Sequence, residues 1–249
     1  MKQFVFLVLF SMMMSCTTQS GEGPLIIGHR GAMGYETENT LASVEKAIEL
    51  GVDMVEVDVF QISSGEIVVF HDERVDRLSN SAGLIKEYNI FDLKKLILDG
   101  GHGIPMLQDV LKQMNGRAAL NIELKDANIA DNIHQIITGY SAKPEWSESQ
   151  FIVSSFDWEE LRKYREYSPE GRIAVLTEGD PLQAIEVARE LKAEAINPHY
   201  SQVNAGNVAK LHEAGFKVYT YTVNDPADFQ RLKAAGVDGV FSDYPDRMK

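Results

Sequence analysis

From Leu25 to the C-terminus, short apolar runs of strand length alternate with longer runs of helical period, and this alternation constrains the fold more than any single motif does. The strand-like runs are residues 25–28, 54–60, 119–124, 151–154, 173–176, 195–197, 218–221 and 239–241. Between them, apolar residues such as Leu41, Val44 and Ile48, or Val203, Val208 and Leu211, gather on one helical face, as packing against a sheet requires. Eight strands with a helix after each is the count of a closed (β/α)8 TIM barrel, so an α/β barrel is the expected fold.

The joints repeat as well. Leu50-Gly51-Val52-Asp53, Ala214-Gly215-Phe216-Lys217 and Ala235-Gly236-Val237-Asp238 each set a glycine between a helical run and a strand-like run. Glycine closes a helix there in the left-handed conformation that a Cβ disfavours. An open doubly wound sheet would carry the same joints, and the count of eight favours closure. Two stretches break the alternation. Residues 67–70 follow Ser63-Ser64-Gly65 and read as a hairpin arm. The glycine-containing stretch 76–103, with one helical run near 91–98, reads as a small insertion after the second strand, spanning about 73–104. Loops at that end of a barrel carry function, so the insertion is expected to wall a site.

The N-terminus reads as an address. Met1-Lys2-Gln3 is cationic, residues 4–10 are apolar, and Cys16, the only cysteine, follows Ser15. The apolar run is too short to span a bilayer, so residues 1–15 are expected to be a signal peptide. The pattern resembles a bacterial lipoprotein signal with Cys16 as the lipidated residue, although Met13 stands where leucine is usual. Residues 16–23 would then be the lipidated cysteine and a polar tether, and 24–249 the barrel domain. This implies the bacterial cell envelope, periplasmic or at the cell surface, with membrane association through Cys16. The formal charge of −13 argues against a nucleic-acid partner and leaves no basic patch for anionic lipid. With no second cysteine, the domain has neither a disulfide nor a thiolate centre. No motif speaks to an oligomeric partner.

Charged residues concentrate where strand-like runs stop. In Val55-Glu56-Val57-Asp58-Val59 the strand period of two turns both carboxylates to one face and the valines to the other. Two adjacent carboxylates inside a barrel repel unless they share a cation, and hard oxygen ligands suit Mg²⁺ or Ca²⁺ better than Zn²⁺. Asn121, Glu123 and Lys125 repeat the pattern, so Glu123 would complete a three-carboxylate site for one divalent cation and Lys125 would reach a phosphate oxygen. His29 ends the first run, beside Arg30, whose guanidinium fork suits a phosphoryl group, and Gly31, which permits a close turn. His71 ends the run 67–70 and precedes Asp72. Two histidines flanking a carboxylate set suit a general acid and a general base.

Together with Glu38-Asn39-Thr40, Ile104-Pro105, Ser155-Phe156, Thr222-Val223-Asn224 and Asp243-Tyr244-Pro245, these residues resemble the glycerophosphodiester phosphodiesterase family from Leu25 onward. The resemblance implies a (β/α)8 barrel with an insertion after its second strand. It implies His29 and His71 as the acid/base pair, Arg30 and Lys125 on phosphate, and Glu56, Asp58 and Glu123 on the metal. Glu38 and Asn39 match the first-loop pair, with no chemical step assigned to either. Thr37 replaces the usual proline before that pair, so the loop is expected to be less rigid. Thr220, between Tyr219 and Tyr221, replaces a common tryptophan.

The implied reaction is metal-dependent hydrolysis of a small glycerophosphodiester to sn-glycerol 3-phosphate and an alcohol. Which histidine is the base stays open in the sequence, with His29 favoured. Two other readings stand beside it: a phosphodiesterase acting on lysophospholipid or glycerophosphoinositol, and a noncatalytic binding lipoprotein of the envelope. Phe156, His199 and Tyr221 are candidate pocket residues that would separate substrates. Trp146 and Trp158 read as packing anchors, His102, His134 and His212 as peripheral, and 161–167 as a solvent-exposed helix.

Overall fold

The computed structural model describes residues 23–248. The expected signal peptide, Cys16 and all of the tether except Gly23 lie outside the described residues. In chain order the elements are β1 (Leu25–Gly28), α1 (Leu41–Glu49), β2 (Met54–Gln61), β3 (Ile67–Val69), α2 (Ile90–Leu93), α3 (Leu107–Met114), β4 (Ala119–Leu124), α4 (Ala130–Ser141), β5 (Phe151–Ser155), α5 (Trp158–Tyr167), β6 (Ile173–Thr177), α6 (Ile185–Glu190), β7 (Ala195–Pro198), α7 (Ala205–Glu213), β8 (Lys217–Thr220), α8 (Pro226–Ala235) and β9 (Gly239–Ser242). All the strands but β3 run parallel, and β1 pairs with both β9 and β2, which closes the barrel and excludes an open sheet. The extra strand, β3, lies antiparallel on β2 in the register Val59↔Val69.

Alternation along each strand positions the site. Val55, Val57 and Val59 point outward into the core shared with the helices. Ile27, Met54, Ile152, Ala174, Ala195 and Tyr219 point inward and fill the N-terminal part of the barrel. Two or four residues further along the same strands, the inward series becomes His29, Glu56 and Asp58, Phe156, Glu178, His199 and Tyr221. The barrel is therefore dry at one end and chemically equipped at the other. Gly51, Gly215 and Gly236 take positive φ values of 73°, 94° and 90° after α1, α7 and α8, as the joints require.

The expected helical run at 91–98 is a single turn. Asn89 caps α2 by accepting the N–H groups of Phe91 and Asp92, and the chain then opens so that Leu98 bridges to Ser79 and His102. Leu93, Leu96 and Leu98 are all buried in the insertion's own cluster with Phe70, Val75 and Ile85, and the two-residue step from Leu96 to Leu98 is incompatible with one helical face. The chain returns along β3, where Val69 donates to the Pro105 carbonyl at 2.9 Å. In α5, Leu161 and Tyr164 are buried, so the expected exposed helix is half packed. Its Glu160 carboxylate, also buried, accepts the N–H groups of Asn128, Ile129 and Ala130 and caps α4 from outside. Trp146 stacks on Phe151, and Trp158 donates to the Leu176 carbonyl.

Candidate active site

A cleft of about 470 Å³ opens at the C-terminal ends of the strands, lined by residues that include His29, Arg30, His71, Glu123, Lys125 and Phe156. His29 leaves β1 with Nδ1 2.6 Å from Oδ1 of Asp243, the residue after β9. An ionised carboxylate only accepts, so this contact puts the proton on Nδ1 and leaves the Nε2 lone pair available. Asp243 is itself held by the Asn224 side-chain amide at 2.7 Å. Burial opposes its ionisation, yet His29 and Asn224 keep its carboxyl below the usual range. His71 forms the same kind of pair, with Nδ1 2.6 Å from Oδ1 of Asp72 and Nε2 3.3 Å from Nζ of Lys125. Burial pushes the His71 imidazole below its ordinary pKa, and Asp58 opposes that shift.

Glu56, Asp58 and Glu123 converge as their strands require: β2 and β4 pair in the register Asp58↔Glu123, and one oxygen of each carboxylate lies within 4.8 Å of the others. Glu56 Oε2 accepts the Arg30 N–H at 2.7 Å, while the buried Oε1 has no hydrogen-bond partner. A buried carboxylate oxygen without a partner is costly, and a cation shared with its two neighbours would satisfy it. Burial, then Asp58 and Glu123, raise the Glu56 pKa well above the ordinary value. Burial and Asp58 push Glu123 up to about 7, although Lys125 Nζ sits 2.8 Å from its Oε1. The three residues thus fit a divalent ion in number, chemistry and electrostatic need.

The first loop fixes this arrangement from behind. Arg30 and Gly31 take φ values of 50° and 84°, and a Cβ on Gly31 would fall 2.3 Å from Ser43 Oγ, so only glycine lets the turn lie against α1. Asn39 donates to Asp58 Oδ2 at 2.8 Å and accepts the Asp58 N–H at 3.1 Å, which fixes the orientation of that carboxylate. Glu38, 5% exposed, accepts from Arg30 Nη1 and from both terminal nitrogens of Arg77. Arg77 also donates to Asp72 at 2.6 Å, so it ties the loop to the His71 support. Thr37, where the loop was expected to lose rigidity, donates to the Asp99 carbonyl and pins the loop to the insertion.

Across the cleft from the carboxylates stand Phe156, Glu178, His199 and Tyr221, at the ends of β5 to β8. Tyr221 packs edge-on against Phe156 at 5.8 Å and His199 at 5.7 Å, and its hydroxyl donates to the Thr177 carbonyl. Every site residue named from the sequence except Cys16 is thus at or directly behind the cleft. The sequence reading missed the supporting role of Asp243, as well as Arg77, Asn224 and Glu178. Asp243 and Glu178 follow strands in the inward phase, a signal available from alternation; Arg77 sits among other charges with no periodic cue. His212 pairs with Asp238, and His134 stacks on Tyr167, both outside the cleft.

Residues 29–247 match the glycerophosphoryl diester phosphodiesterase family. Bacillus subtilis YhdW is 32% identical over 237 residues, covering 89% of this chain and 95% of its own length. A glycerophosphodiester phosphodiesterase of Caldanaerobacter subterraneus is 31% identical over 237 residues, covering 90% and 96%. Among solved structures, an Oleispira antarctica phosphodiesterase in complex with the product sn-glycerol-3-phosphate superposes with a TM-score of 0.83 at 29% identity, over 91% of this chain and 95% of that one.

Proposed function

The chain belongs to the glycerophosphoryl diester phosphodiesterase family, and from that premise we propose that its cleft hydrolyses small glycerophosphodiesters to sn-glycerol 3-phosphate and an alcohol. The observation that carries the reading is the convergence of three carboxylates, two cations and two carboxylate-supported histidines on one cleft. The structural relative holding the same product supports it.

Glu56, Asp58 and Glu123 would hold one divalent cation, Mg²⁺ or Ca²⁺, whose chemistry is to polarise the phosphodiester and draw off negative charge. Arg30 and Lys125 offset the charge that grows on phosphorus oxygens as attack proceeds. His29 takes the proton from the attacking oxygen, because Asp243 holds its Nδ1–H and leaves Nε2 free. His71 serves the departing alcohol: once Lys125 turns from its Nε2 to the phosphate, Nε2 takes up a proton from solvent at the cleft mouth. Asp72 steadies the resulting imidazolium through Nδ1–H, and that Nε2 proton passes to the alcohol oxygen as its bond to phosphorus breaks. The expected result is release of glycerol 3-phosphate that EDTA abolishes, Mg²⁺ or Ca²⁺ restores and His29→Ala removes. Folded, metal-supplied enzyme that releases none from any glycerophosphodiester overturns the reading.

The lipoprotein address belongs to the same proposal. β1 runs from Leu25 toward His29, so a chain arriving from Cys16 joins the barrel at the end opposite the cleft. A barrel tethered there offers its site to soluble diesters in the envelope. Membrane fractionation and the mass of the mature N-terminus test this: a soluble protein uncleaved at Cys16 rejects the anchor.

A further inference from the structure

The half of the cleft away from the carboxylates has a composition that phosphate chemistry does not call for. Phe156 is 40% exposed and lines the cleft. Tyr221 stands between Phe156 and His199, edge-on to both, and its hydroxyl is occupied by the Thr177 carbonyl, so the tyrosine presents an aromatic surface rather than a donor. His199 is held in turn, with Nδ1 accepting the Ser201 N–H.

Glu178 lines the same wall, two residues beyond the inward-facing Leu176. It has no hydrogen bond or ion pair to any other described residue, whereas Glu38, Asp72, Glu123 and Asp243 around the cleft are each bound by arginine, lysine, histidine or asparagine. It lies near enough to Tyr221 that, after burial, its charge is the next cause raising that phenol's pKa. Lys125, a cation of the same cleft, is 6.0 Å from the Phe156 ring and already paired with Glu123 at 2.8 Å and Asp58 at 3.7 Å.

Fixed aromatic rings with a free carboxylate form the arrangement that receives an organic cation: the ring quadrupoles attract it and the carboxylate neutralises it without a tight hydrogen bond. Resting on the hydrolytic reading above, we infer that Phe156, Glu178, His199 and Tyr221 form a subsite for a cationic alcohol headgroup, of the choline or ethanolamine class, on the leaving-group side of the phosphodiester. A neutral headgroup fits the same space but gains nothing from Glu178.

The test compares kcat/KM for glycerophosphocholine and glycerophosphoglycerol in the metal-loaded enzyme and in Glu178→Gln and Phe156→Leu, with thermal melting to check folding. Both side chains are exposed, so both variants are expected to fold. The expected result is a choline-to-glycerol ratio that falls roughly tenfold in Glu178→Gln and several-fold in Phe156→Leu. A ratio that holds, or losses equal on both diesters as they would be if this wall gripped the glycerol that both share, overturns the subsite while leaving the hydrolytic reading intact. Release from neither diester by the wild-type enzyme overturns that reading instead.

Discussion

The barrel and the insertion each supply one histidine to the cleft, backed by a carboxylate at the same 2.6 Å distance, but they hold it by different means. His29 and Asp243 are joined across the seam where the last strand meets the first, 214 residues apart, and the seam is a parallel ladder with packed helices behind it. His71 and Asp72 are chain neighbours at the mouth of the insertion, whose backbone is mostly turns around a small cluster of its own. What holds that side in place is Arg77, which grips Asp72 and Glu38 together. The same chemical pair is thus rigid on one side by closure of a sheet. On the other it depends on the docking of a loop, which is where a conformational step in catalysis would reside.

The largest effect should separate the two carboxylates. Asp243→Asn replaces the carboxylate that is the one partner of His29 Nδ1 among the described residues and permits the wrong tautomer, so kcat should fall on the order of 10³-fold or more with little change in KM. Asp72→Asn should cost about ten- to a hundredfold, since that site is more open and water can replace the lost acceptor. Equal losses in steady-state kinetics would erase the distinction.

Arg77→Ala should come next. It leaves Glu38 buried with Arg30 alone and frees Asp72, and a loss of about tenfold in kcat/KM is expected, with destabilisation of about 1–3 kcal/mol. Unchanged activity would mean that the insertion docks without it. Leu93→Ala sharpens the contrast at the level of packing. The cavity should cost about 2–4 kcal/mol, confined to the insertion. Hydrogen exchange should therefore quicken in 75–101 while the barrel strands keep their protection, whereas Leu120→Ala in β4 should lower the melting temperature of the whole domain.

The smallest effect is acid sensitivity. Burial works against Asp72, but Arg77 and His71 draw its pKa down to about 2. At the far end of the barrel, Arg172 first, and then Lys217 against the effect of burial, bring Glu194 to about 2 as well. Both folded values lie below the ordinary carboxylate range. Each group therefore contributes stability that is fully present above about pH 4.5 and is lost as pH falls toward 2, by about 1–2 kcal/mol each after allowance for solvent. Denaturant titrations between pH 5 and 2.5 should show Asp72→Asn and Glu194→Gln each flattening part of that slope, the first in the insertion's exchange rates and the second in global stability. An unchanged slope in either variant removes that carboxylate from the account.

Much of this molecule was legible before folding. The strand period placed Glu56 and Asp58 on one face and the valines on the other, the repeated apolar runs numbered the strands, and the glycine joints marked where helices end; these are short-range consequences of backbone geometry. The failures follow the same line. The run at 91–98 carries helix-like spacing, but its leucines serve a local core with a different period, and only packing shows that. Alternation could aim Asp243 and Glu178 inward, but it could not pair one with His29 or leave the other unpaired.

Periodicity, charge and residue type along the chain by themselves determined an α/β barrel with carboxylates and histidines at one end. Partnership was decided in three dimensions: Asp243 under His29, Arg77 between two loops, and the free Glu178 among aromatic rings. The physical reason is that secondary-structure patterns arise from neighbours a few residues apart. A hydrogen bond across the barrel depends instead on the register in which distant strands close, and that register is set only when the whole core packs.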